Sequence, residues 1–108
     1  MRTYTFELDD KSYTIKFDYN AICDIEELSG KPISVLLNEN YAGTFTMRYL
    51  LWGGLKWKNN GLTKAEAGRL IVKLVETKQY KKVMQGMSEC LQYALNELKG
   101  EEEEEEGE

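Results

Sequence analysis

The fifteen residues TYTFELDDKSYTIKF, Thr3 to Phe17, constrain the fold more than any other stretch of this chain. Tyr4, Phe6 and Leu8 alternate with polar residues, Asp9-Asp10-Lys11 supply turn chemistry, and Tyr13, Ile15 and Phe17 alternate again. Alternation with period two on both sides of a turn predicts a β-hairpin with one apolar face. An isolated hairpin is marginal in water, so other elements must cover that face. Helices are expected to do so.

Asp18 is placed to cap a helix in which Ile22, Ile25 and Leu28 recur at three-residue steps, with Ala21 alongside. Gly30 stands where a left-handed C-cap glycine belongs. Pro32, the one proline, stops that helix and suits the first turn of a short second one through Ile33, Leu36 and Leu37. Residues 38–43 read as a loop. Thr44 reads as the cap of a third helix that holds MRYLLWGGLKW, Met47 to Trp57. At 100° per residue, Phe45, Tyr49 and Trp52 share a face of it, Leu51 and Leu55 lie beside them, and Met47 and Leu50 point elsewhere. A helix apolar nearly all round is either central in a core or covered by a partner.

Residues 58–61, KNNG, form a turn, and Thr63 with Glu66 makes a capping box. Ala67, Leu70, Ile71, Leu74 and Val75 form the apolar stripe of a fourth helix. The last helix carries Tyr80, Val83, Met84, Met87, Leu91, Ala94, Leu95 and Leu98 at three- and four-residue steps. No internal repeat is visible. Strands first and helices after is the α+β pattern: an N-terminal hairpin followed by four to five helices packed over it. Residues 1–99 are expected to be a single domain, and the glutamate-rich 100–108 a disordered acidic tail, since like charges repel and nothing there is apolar.

The net charge of −5 comes from that tail; without its seven glutamates the balance is 14 basic to 12 acidic residues. A nearly neutral body speaks against nucleic-acid binding, which usually needs a clustered basic face. No apolar run approaches the roughly 18–20 residues of a membrane span, and MRTYTFELDD lacks the apolar stretch of a signal peptide. A cytoplasmic protein is expected, with Cys23 and Cys90 as buried thiols. The chain has no histidine, hence neither the commonest general base nor the commonest metal ligand. Asp24, Glu26 and Glu27 do not face one another on a helix and read as a solvated face. The expectation is a non-enzyme without metal or cofactor.

Two glycines inside a helix cost about 1 kcal/mol each against alanine, so Gly53 and Gly54 are expected to be sites of close packing. Tyr49, Trp52, Leu55, Trp57, Met84 and Met87 are candidates for partner contact, as aromatic and methionine side chains suit such surfaces. Trp52 leans toward the core by its face. Trp57, among Lys56, Lys58 and Asn59, is the strongest candidate.

FDYNAICDIEELSGKPISVLL and MRYLLWGGLKWKNNGLTKAEAGRLI, preceded by a short hairpin, resemble the tail assembly chaperones of long-tailed phages, prophages and gene-transfer-agent particles. The first block matches in Glu26-Glu27, Gly30 and a short apolar helix. The second matches in Arg48, the step Gly53-Gly54-Leu55, a polar loop and the Leu62-Thr63 helix start; Gly53 stands where alanine is usual. The likeness spans roughly residues 3–98. It implies a non-enzymatic protein that binds the long tape measure protein, keeps it soluble, and helps recruit tail tube subunits. Such a chaperone would work in the bacterial host cytoplasm and be absent from the mature virion. Many are made in two lengths by programmed frameshifting near the end of the shorter frame, where this chain carries GEEEEEEGE. Self-association of the chain stays open, as do a structural tail or head–tail connector role and a phage-unrelated protein-binding adaptor.

Overall fold

The computed structural model describes residues 2–36 and 43–106, with backbone alone at 44, 45 and 101–106. Strands β1 (Thr3–Leu8) and β2 (Lys11–Lys16) pair antiparallel as a two-stranded sheet. Phe6 lies opposite Tyr13, Tyr4 opposite Ile15 and Thr5 opposite Thr14. The turn is two residues, Asp9 and Asp10, both in the left-handed region (φ 51° and 63°), so Lys11 belongs to β2. That geometry matches the right-handed twist of the flanking strands, and aspartate tolerates it better than most residues. On the inner face Phe6 and Tyr13 stack at 5.3 Å.

Among the described residues five helices follow: α1 (Tyr19–Ser29), α2 (Ile33–Leu36), α3 (Thr44–Leu55), α4 (Lys64–Glu76) and α5 (Tyr80–Glu106). The protein is therefore α+β, a hairpin followed by helices. Asp18 caps α1 by accepting from the Ala21 amide at 2.8 Å, and Gly30 closes it at φ 72°. The Thr63–Glu66 capping box forms at α4. Gly43, not Thr44, is the N-cap of α3, so Thr44 is already helical. Of the expected loop at 38–43, only Gly43 is among the described residues, and residue 37 and the side chain of residue 45 lie outside them.

The core runs from the hairpin's inner face (Phe6, Leu8, Ile15, Phe17) through α1 and α3 to α5 (Val83, Met87, Leu91). α3 is central: Leu50, Leu51 and Leu55 are all buried, which corrects the expectation that Leu50 points elsewhere. A helix apolar on every side offers no wheel from which to choose a face. Leu28 and Val75, expected on apolar stripes, are instead exposed. Each sits at the margin of its stripe, where three-residue steps drift around a 3.6-residue turn.

The expected tail from 100 onward also differs. α5 continues as helix through Glu106, and 107–108 lie outside the described residues. Glutamate is a good helix former, and adding residues to a formed helix is far easier than starting one.

Candidate partner-binding surface

Gly53 and Gly54 explain how α3 enters the core. A Cβ at Gly53 would fall inside the Ile25 side chain of α1; one at Gly54 would stand 2.8 Å from Ile15 Cγ2 and 3.0 Å from Phe17 Cζ. The pair thus lets α1 and the hairpin approach α3 from two sides. Gly86 of α5 has a like role, since the Tyr4 ring lies where its Cβ would be. Arg48 lays its stem on Gly68 of α4, its Cδ 3.4 Å from where a Cβ there would stand, and its buried Nε has no hydrogen-bond partner among the described residues.

The six partner-contact candidates divide sharply. Leu55 and Met87 are wholly buried, and Trp52 and Met84 are 7% and 9% exposed. These four are corrected to core: Trp52 and Leu55 lie on the central helix α3, and Met84 and Met87 on the side of α5 that is turned inward. Trp52 is also fixed at its polar tip, its Nε1 donating to the Leu62 carbonyl at 3.0 Å, while Lys56 Nζ lies 4.8 Å over its ring. Tyr49 is half-buried, with Lys64 Nζ 5.2 Å from its ring centre.

Trp57 differs in kind. It lies just past the end of α3 and keeps 38% of its surface exposed. Its Nε1 donates to the Thr14 carbonyl of β2 at 2.9 Å, and Lys16 Nζ sits 4.8 Å over the ring. The indole is thus held in one orientation while presenting its surface outward. Beside it Lys56 donates to Asp24 at 2.5 Å, and Asp18, Asn20, Ala21, Asp24, Lys56, Trp57 and Asn60 line a cleft of about 130 Å³. That is below the roughly 300–1,000 Å³ of small-molecule sites, and suits one protruding side chain.

Asp24 and Glu26, expected on a solvated face, have structural roles. Asp24 pairs with Lys56, and Glu26 Oε2 accepts the Ile33 amide at 2.7 Å, satisfying a free donor at the start of α2. Glutamate seven residues before a short post-proline helix was the available signal. Among the described residues no three His, Cys, Asp or Glu side chains gather as a metal site, and no helix is long and apolar enough to cross a membrane. Cys23 is half-buried and Cys90 buried, both unpaired as thiols. Burial pushes the Cys90 thiol pKa up.

No protein family, curated protein or solved structure matches this chain.

Proposed function

We propose that this protein is a non-enzymatic tail assembly chaperone of a long-tailed phage, prophage or gene-transfer-agent particle. It binds the tape measure protein in the bacterial cytoplasm, keeps it soluble, and helps bring in tail tube subunits. The observation that carries the reading is the two-block resemblance, whose blocks become neighbouring helix pairs. One block is α1–Gly30–α2, the other α3–turn–α4, and Gly53 lies against Ile25 where they meet. The Trp57 corner supplies what a chaperone of an apolar helix needs, a fixed aromatic surface with lysines around it. Several copies along one long helix would bind with avidity.

The test is an affinity pull-down of the N-terminally tagged protein, expressed from its native locus and read by mass spectrometry. The expected result is a long helical partner, lost with Trp57→Ala, together with peptides that continue past Gly100 in another frame. Recovery of the protein as an abundant component of purified particles would sink the chaperone reading in favour of a structural tail or head–tail connector part. A partner encoded away from any tail genes would point to an unrelated adaptor.

A further inference from the structure

The two edges of the hairpin are treated differently. Trp57 Nε1 bonds the Thr14 carbonyl, so that carbonyl points away from β1. Thr14 and its opposite number Thr5 are therefore a non-hydrogen-bonded pair, as the two-residue turn also requires. By alternation, the amides and carbonyls of Ser12, Thr14 and Lys16 point outward from β2, and those of Thr3, Thr5 and Glu7 outward from β1. The β2 edge is guarded by the Trp57 indole and by Lys11 and Lys16. The β1 edge is not. Thr3, Thr5 and Glu7 are exposed, and no described residue bonds their outward backbone groups. The strand has no proline, no bulge and no lysine, the usual protections of a free edge.

We propose that β1 pairs antiparallel with β1 of a second copy, joining two hairpins into one four-stranded sheet. The strand is self-complementary about Thr5. With Thr5 opposite its own copy, Thr3 meets Glu7, Tyr4 meets Phe6, and about six backbone hydrogen bonds form. The aromatic row begun by Phe6 and Tyr13 then continues across the seam on the buried face. A register centred on Glu7 would oppose two carboxylates, and one centred on Thr3 would lose half the strand. The flank of α5 above this edge is marked by Glu89, which holds Arg2 at 3.3 Å. This inference rests on the strand edge and stands or falls apart from the chaperone reading.

The experiment is light scattering coupled to size exclusion on the full chain over a concentration series, with four variants checked for folding by circular dichroism. Thr5→Lys sets two ammonium groups face to face; Thr5→Pro deletes the outward amide and spares the hairpin's own ladder. The expected result is a dimer whose dissociation constant rises at least tenfold in both. Thr5→Cys is expected to cross-link under mild oxidation, and Thr14→Cys, behind Trp57, to resist it. A monomer at every concentration, or a dimer indifferent to Thr5→Lys, overturns the proposal. So does a monomer whose Thr3, Thr5 and Glu7 amides gain exchange protection only when a different protein is added, which would give the edge to a foreign strand.

Discussion

At the scale of single residues, the protein is organised by side chains that are missing. Gly53 gives up helix propensity so that Ile25 can lie against the α3 backbone. Adding a methyl there forces the buried Ile25 to move, and overpacking of this kind costs about 1–3 kcal/mol. Gly53→Ala is expected to lower the melting temperature by several degrees, whereas Gly61→Ala, with no described residue within 4 Å of its added Cβ, should leave it nearly unchanged. Equal shifts for the two would remove the close-packing account. Cys90 gives a second residue-level expectation. Its raised pKa comes first from burial, with Glu89 raising it and Arg2 lowering it. The folded state therefore holds the thiol proton more tightly than the unfolded chain. Stability from this site is complete below the ordinary thiol pKa and declines as pH rises through and beyond it. Chemical denaturation across the alkaline range, compared with Cys90→Ala, should show a decline in the parent that the variant lacks. Under native conditions, a thiol reagent should label the more accessible Cys23 well before Cys90.

At the scale of elements, the two tryptophans of α3 and its exit do different work. Trp52 is a buried plug tied to the Leu62 carbonyl, and truncation to alanine should cost about 3–5 kcal/mol, loosening or unfolding the domain. Trp57→Ala loses one hydrogen bond to the hairpin and part of a half-exposed ring. The domain should survive it, with partner binding weakened. Matching thermal melts for the two variants would contradict this division. The connection between α4 and α5 offers an expected gain instead. Lys78 sits at φ 61°, a left-handed conformation that costs an ordinary residue roughly 1 kcal/mol or more. Lys78→Gly should raise the melting temperature; no rise would mean that Lys78 contributes a compensating interaction. Elements announced by local chemistry were legible in the sequence: the alternating strands, the Asp18 cap, Gly30 and the Thr63–Glu66 box. Features set by tertiary approach were not. Glu26 reaches Ile33 only because α1 and α2 meet at one angle, and nothing local shows that Met84, Met87 and Trp52 are buried when the helices pack. Trp57 was legible as exposed because lysines and asparagines surround it, yet its bond to Thr14 depends on the hairpin lying against the end of α3.

At the scale of the whole molecule, α5 sets the shape. Twenty-seven helical residues extend about 40 Å, in a molecule measuring 50 × 25 × 25 Å. The radius of gyration, 14.1 Å, exceeds the roughly 13 Å of a compact chain this long, as an outrunning helix requires. Among the described side chains the core contacts of α5 reach to Leu98, after which come Lys99, Gly100 and six glutamates. Gly100 weakens the helix where the core contacts end, and the glutamates crowd like charges at the negative end of the helix dipole. Their backbone continues the helix of the packed part. Removing residues 101–108 should therefore leave the melting temperature of the domain unchanged. Raising the salt concentration should increase helical ellipticity in the full chain and not in the truncated one, because screening relieves only the glutamate repulsion. A marked fall in melting temperature on truncation would mean instead that the extension is docked and belongs to the folded unit.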